Sequence, residues 1–383
     1  MALSASAPFA SFDVTDGAQK RDISPILEDA IYYDLNLLSA VGVSLGNPVF
    51  DNRHYWNEEA IDVGTFTIND GSGYSTSASP WTVDAGHNVT IGDLVYDTAS
   101  GSTEVAQVTA TGATSLTVTR GHNGTAQVAI LDNAVFGIIR GEQEGSDIGV
   151  DSSQNPTVRS NYTQILNATD LLVSGTQIAR KMATTELNDF VARQLAARAL
   201  ELRISWTRAF LYSNQATSTE VGSDSIYRYM NGLRAFAVEN SGVIDSTSEA
   251  TGYADLNANN KSVVDKGVFP NILAIGTDLV GSISGIDSSV RRLRESDSTV
   301  GYVVQDILLS QGNMVQVVVD ARVKTGDYFL WDAGKTELRP LDGRGMFVIA
   351  ARDFADAQKR RILSEMTLEC RNPEAVCHAY SKS

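Results

Sequence analysis

At 383 residues the chain is too long for one ordinary core and suits two or three lobes. Its 43% hydrophobic and 20% charged residues exclude global disorder. A formal net charge of −16 excludes a protein that grips nucleic acid, because neutralising phosphates needs clustered Lys and Arg. An acidic surface remains compatible with facing duplex DNA without holding it. The two cysteines, Cys370 and Cys377, are too few for a disulfide-built secreted domain. The Met1 end has neither a basic segment nor an apolar run, so it does not read as a signal peptide. No stretch approaches the roughly 20 apolar residues that cross a bilayer. A soluble cytoplasmic product is expected.

Residues 1 to about 22 are small and polar and read as an arm without a core of its own. Residues 23–45 predict a short helix and an extended piece. An aromatic cluster follows, Phe50, His54, Tyr55 and Trp56, ahead of Glu58 and Glu59. Between about 63 and 140, Thr, Val, Gly, Ser and Asp dominate and strong helix formers are scarce. Short runs at Phe66–Ile68, Val89–Ile91, Leu94–Tyr96, Val105–Val108 and Leu116–Thr119, divided by glycine turns, predict a small β-barrel or sandwich. Acidic residues outnumber basic ones there, which marks an acidic β insertion at the surface. Residues 141–176 read as extended.

The clearest element comes next. Leu187, Val191, Leu195, Ala199, Leu202, Trp206 and Ala209 recur mostly three or four apart, and Thr185 suits an N-cap with Glu186 behind it. No Gly or Pro interrupts the run to Tyr212. About 28 residues at a 1.5 Å rise make a rod roughly 42 Å long, a backbone between lobes. A second helix is expected from near Ser225, carrying Tyr229, Leu233 and Phe236. Asn271–Ile275 predicts a short buried strand, and Thr277 with Asp278 a cap for a helix reaching about Gly285. Val300–Leu309, Met314–Val319 and Asp327–Trp331 read as sheet strands and complete an α/β lobe. The last strand alternates best: Ile362, Ser364, Met366, Leu368 and Cys370 face one way, Leu363, Glu365, Thr367 and Glu369 the other.

A search for chemistry returns near misses. None of His54, His87, His122 and His378 stands in an H-E-x-x-H spacing. His87 and His122 sit in glycine turns and read as exposed turn residues rather than a metal pair. Cys370 and Cys377 with His378 fit no zinc spacing, and Cys370 reads as a buried, inert thiol. Gly71-Ser72-Gly73 stops short of a phosphate loop at Thr76, and Gly281 to Gly285 resembles a nucleophile elbow with Ile283 where serine is needed. The sequons at Asn88, Asn123, Asn161 and Asn167 lack a secretory signal and read as chance. Trp56 suits a core anchor or a subunit contact equally well. No catalytic residue, cofactor or metal is expected.

Several stretches carry a resemblance. Asn52-Arg53-His54-Tyr55-Trp56 ahead of Glu59, the strand and turn Leu116 to Thr125, Arg159 to Ile165, Tyr229 to Leu233, and Ile362 to Glu369 followed by Asn372-Pro373 are together similar to major head proteins of tailed bacteriophages, the Hong Kong 97-like superfamily. The likeness is to the branch with a β insertion in its extended loop. It implies an α+β fold with an N-terminal arm at 1–55 and an extended loop at 56–176, the insertion occupying about 63–140. A peripheral domain at 177–224 and 346–383 would carry a spine helix at 185–212, and an axial α/β domain would span 225–345. The implied function is a structural major capsid protein whose hexamers and pentamers form an icosahedral head around double-stranded DNA. Another phage or surface assembly, a tail tube or a surface layer, is the alternative. Implied partners are other copies, a portal, and scaffold or decoration proteins, with DNA only near by, no membrane, and assembly in the host cytoplasm. With Met1 present, a separate scaffold or none is expected rather than a fused, cleaved one. Expected intersubunit contacts are His54, Tyr55, Trp56, Arg159, Tyr162 and Arg344. No covalent crosslink is implied.

Overall fold

The computed structural model describes residues 37, 47–59, 64–99, 101–144, 156–174, 190–215, 227–286, 291–294, 303–350 and 357–382. Most of the N-terminal arm, the expected helix start at 185–189 and Ser225 lie outside the described residues. The chain forms two compact units, residues 57–157 and the remainder. The strand pair β1 (Arg53–Glu58) and β8 (Thr157–Tyr162) marks where the chain leaves the larger unit and returns to it.

Residues 57–157 build six strands: β2 (Thr65–Thr67), β3 (Trp81–Thr82), β4 (Leu94–Asp97), β5 (Val105–Gly112), β6 (Ser115–Thr119) and β7 (Val135–Ile139), in the order β2-β7-β4-β5-β6-β3. The two ends of that order meet. Ile68 bridges Val83, the Asn69 N–H donates to the Thr82 carbonyl at 2.9 Å, and the Asp84 N–H donates to Thr67 at 3.0 Å. The expected barrel or sandwich is therefore a closed barrel, which among the described residues leaves no sheet edge open there. Alternate residues fill it, with Trp81, Phe136, Ile68, Val95 and Leu116 fully buried. Val89–Ile91, expected as a strand, is a loop. The Asp93 carboxylate draws the Thr90 N–H at 2.8 Å and the Gly141 N–H at 3.0 Å, so a side chain rather than a neighbouring strand satisfies that backbone.

In the larger unit, helix α1 (Phe190–Tyr212) is about 34 Å long at 1.5 Å per residue. Leu202, Trp206, Ala209 and Phe210 are buried, whereas Val191, Leu195 and Ala199 are only partly covered. Beyond it lie α2 (Leu233–Glu239), β11 (Val243–Asp245), α3 (Tyr253–Val264), β12 (Ile272–Ile275), α4 (Val280–Ser284), β13 (Arg291–Arg294), β14 (Val303–Leu308), β15 (Met314–Val319) and β16 (Tyr328–Trp331). With the last strand, β20 (Cys377–Ala379), they form a mixed seven-stranded sheet, β11-β20-β16-β12-β15-β14-β13. Every residue of β12 and β16 is buried, because both sheet faces are covered. Ile272, Ala274, Phe329 and Trp331 share a core with α1, while Leu273, Ile275, Tyr328 and Leu330 pack with Leu256 and Val263 of α3 and Ile283 of α4.

A second sheet is organised around β19 (Ala357–Cys370). On one edge it pairs with β9 (Gln164–Asn167) and β10 (Leu171–Ser174), on the other with β17 (Thr336–Pro340) and β18 (Phe347–Ala350). Ile362, Met366, Leu368 and Cys370 turn toward the α1 core. A domain boundary at 345 and a peripheral segment running to 383 do not match this pairing. β17 lies before that boundary yet belongs to the β19 sheet, and β20 lies after it yet belongs to the seven-stranded sheet.

Two local expectations are corrected. The helix expected from Ser225 begins at Leu233, so Tyr229 precedes it. Backbone donors of 231–232 are needed elsewhere: Asn231 N–H binds the Asn161 side chain at 2.8 Å, and Gly232 N–H binds the Ser213 carbonyl at 2.8 Å. A Cβ at Gly232 would stand 2.6 Å from the Ala209 carbonyl oxygen, which is why glycine occupies this approach to α1. Asp278 does not cap α4, whose N-cap position is Leu279; its carboxylate accepts the Gly326 N–H at 2.7 Å instead.

Candidate intersubunit contacts and their anchor

The closing strand β19 departs most from a simple amphipathic pattern. From Ser364 to Cys370 every residue is buried, so its polar face meets protein rather than water. Buried carboxylates need partners, and each has several. Glu365 accepts from Thr163 Oγ1 at 2.8 Å and Arg344 Nε at 2.7 Å, and it pairs with Arg228. Glu369 bonds His54 Nε2 at 2.8 Å, Arg371 Nε at 2.7 Å and Arg339 Nε at 2.9 Å. Burial alone would raise the Glu369 pKa; the bonds from His54 and Arg371 and the charges of Arg339 and Arg371 outweigh it and hold the carboxyl at about 2. A one-residue slip of β19 would drive these charges into the α1 core, so the array fixes register.

The strands β1 and β8 lie over this array. Arg53 donates to Ser160 Oγ at 3.1 and 2.9 Å, and its guanidinium stands 5.1 Å from the Tyr55 ring centre and 5.0 Å from that of Tyr162. Thr163 N–H donates to the Asn52 carbonyl at 2.8 Å.

The six expected contact residues therefore lie in different settings. His54 is bonded to Glu369 and stacks on Trp56 at 5.7 Å. Trp56 is 8% exposed and meets Phe236 edge-on at 6.1 Å, so within the chain it serves as a core anchor. Arg159 bonds Asn240 and lies 3.8 Å from Glu374. Arg344 bonds Glu365 and covers the Phe347 ring at 4.8 Å. Tyr162 is half-buried beside Arg53, while Tyr55 is exposed.

Sequence reasoning missed three polar clusters. Glu365 and Glu369 were legible as a polar face but not as a buried one; their only signal is two acids in a run otherwise fit for a core. In the barrel, Arg120 forks onto Glu104, with Nε to Oε1 at 2.7 Å, and covers the Trp81 ring at 5.5 Å. Gly121 follows at φ +64, and a Cβ there would stand 2.9 Å from the Thr125 carbonyl oxygen, so the R-G-H-N-G-T turn is a folding device. In the larger unit, Lys382 is enclosed by Asp245 at 2.7 Å, Asp255 at 2.8 Å and Thr247 at 3.0 Å. The sequon residue Asn161 is fully buried.

No constellation for catalysis forms from the residues singled out in the sequence. His87 bonds the Gly112 carbonyl at 2.9 Å, His378 lies 3.2 Å from Asp327, and both cysteines are buried. Among the described residues no three His, Cys, Asp or Glu side chains are placed to hold a metal ion, and no helix is long and apolar enough to cross a membrane. Residues 57–157 contain thirteen acids, two arginines and no lysine, a net −11 of the chain's −16. Both arginines face carboxylates, Arg120 at Glu104 and Arg140 at Asp93.

A family model described as SU10 major capsid protein matches residues 10–380. Among solved structures, a chain of Gordonia phage Cozz superposes with a TM-score of 0.50 at 12% identity, covering 99% of this chain and 98% of that one. A chain of Microbacterium phage Oxtober96 gives 0.49 at 12% identity, covering 98% and 100%. One from the cyanophage A-1(L) capsid asymmetric unit gives 0.47 at 12%, covering 64% and 84%. Among curated proteins none matches this sequence.

Proposed function

Because the chain belongs to the SU10 major capsid protein family, whose members are structural and not enzymes, we propose that it assembles into hexamers and pentamers of an icosahedral phage head enclosing double-stranded DNA. The single observation that carries this is the family match along residues 10–380. The architecture, a Hong Kong 97-like capsid fold, is consistent with it. In this reading residues 1–55 are an arm and 56–176 an extended loop carrying the acidic barrel. The β19 sheet with α1 is the peripheral part, and most of 225–345 is the axial part around the five- and six-fold positions.

The buried array on β19 then has a mechanical role. It roots the strands that lead into the extended loop, so that load on the loop is passed to the sheet through charge-assisted bonds rather than through a flexible linker. Tyr55, Tyr162, Arg159 and Arg344 border that root and are the residues through which a neighbouring copy would touch it. The net −11 of residues 57–157 favours weak contact with packaged DNA, which would otherwise be held by counterion release. Portal, scaffold and decoration proteins complete the expected partners, and assembly takes place in the host cytoplasm.

Electron microscopy of the full-length protein, expressed alone and with its co-expressed phage partners, tests the proposal. Closed icosahedral shells are expected; smooth tubes, or monomers under all conditions, would overturn it.

A further inference from the structure

Among the described residues the outer edge of β18 is unguarded. Among the described residues β18 pairs with β19 alone, in regular register from Phe347 opposite Leu363 to Ala350 opposite Arg360. Consecutive strand residues point to opposite faces, and Val348 is 51% and Ile349 41% exposed, so neither face of the strand is covered. Met346, just before it, is 47% exposed. Free edges normally carry a Lys, a Pro or a bulge that prevents pairing with another chain. Phe347-Val348-Ile349-Ala350 has none of these. The barrel shows the contrast, since its closure leaves no such edge.

We propose that the outer edge of β18 is an interaction surface that accepts a strand from a second copy of this chain, extending the β19 sheet from one subunit into the next. The proposal rests on the capsid reading, which makes another copy the partner met at high local concentration. Charge supports it. β18 itself bears no charge, and two of the three basic residues of the adjoining strand are drawn away from the edge: Lys359 and Arg361 bind Asp170 on the opposite side of β19, at 3.2 and 2.6 Å, while Arg360, opposite Ala350, donates to Gln358 at 3.5 Å. Along Phe347–Ala350 an incoming strand therefore meets no charged side chain of β18 itself. Strand addition satisfies the open backbone groups and covers Val348 and Ile349 in one step, with main-chain bonds giving affinity and the two side chains setting register.

The test uses the full-length chain with Val348→Lys and Ile349→Lys, each placing a charge at an exposed position that the monomer tolerates. Val348→Thr is the control that keeps strand propensity. Unchanged far-UV circular dichroism with shell yield reduced about tenfold or more, where every tenfold is 1.4 kcal/mol, is the expected result for both Lys variants. In wild-type shells the amides of 347–350 should exchange about tenfold more slowly than in unassembled Ile349→Lys protein. Shells formed at wild-type yield by both variants, or equally fast exchange in shells, would overturn the inference even though the capsid reading stood. If the wild type forms no shells, the capsid reading falls. Strand pairing is then decided by sedimentation, where self-association of wild type but not of Ile349→Lys supports it and its absence refutes it.

Discussion

Asn161 and Asn231, 70 residues apart, bind each other in both directions: Asn161 Nδ2 donates to the Asn231 carbonyl at 3.1 Å, and the Asn231 N–H donates to Asn161 Oδ1 at 2.8 Å. The same Nδ2 donates to the Leu368 carbonyl at 2.7 Å. One fully buried amide thus ties β8, the approach to α2 and the closing strand together.

Replacing Asn161 by Ala leaves the Asn231 N–H and the Leu368 carbonyl buried without that partner. An unmade buried bond costs about 1–3 kcal/mol, so a loss of about 2–4 kcal/mol is expected, read as a lower denaturation midpoint. Asn161→Asp should be worse than Ala, because a carboxylate cannot donate to either carbonyl. Equal stability of wild type and Asn161→Ala would refute this account.

Glu369 makes stability depend on pH. Its folded pKa is depressed, from an ordinary 4.5 to about 2. The associated stability is fully present above 4.5 and is lost as pH falls through that window toward 2. In Glu369→Gln the loss should already be present at neutral pH, about 3 kcal/mol for breaking a buried pair. The slope of denaturation midpoint against pH over this range should flatten in the variant. An unchanged slope would show that other carboxylates govern acid unfolding.

Arg120→Lys keeps the charge but removes the planar fork onto Glu104 and the cover over Trp81. A Lys is not equivalent at a bidentate, stacked site, and about 2–3 kcal/mol should be lost. Hydrogen exchange should rise in peptides spanning 64–140 while those from β12 and β16 stay protected. Uniform change throughout the molecule would contradict a local role.

The cysteines should be silent until the protein unfolds. Burial raises the Cys377 thiol well above its ordinary value, and the nearby Asp245 and Asp255 carboxylates add to the effect. Cys370 is likewise buried. Iodoacetamide at neutral pH should label neither in the native state and both after denaturation, as counted by intact mass. Rapid native labelling of Cys377 would mean that the β16–β20 pairing opens readily.

Much of this protein was legible locally. Period-two alternation marked β19, helical spacing marked α1 as far as Tyr212, and glycine turns with Thr and Val marked a β insertion, because each records which faces of one element are covered. Composition alone places a net −11 of the chain's −16 in residues 57–157, since charge is additive along a chain. Tertiary structure alone decided which polar residues are buried and with whom. His54 and Glu369 are 315 residues apart, and no local pattern states that they meet. The same holds for the joining of Ile68 to Val83, which turns a sheet into a barrel, and for β17 and β20, which cross the domain boundary drawn from sequence. Strand pairing is a choice among distant partners, settled by the packing of whole sheets against α1 and α3 and by the cost of leaving a buried carboxylate or amide unsatisfied.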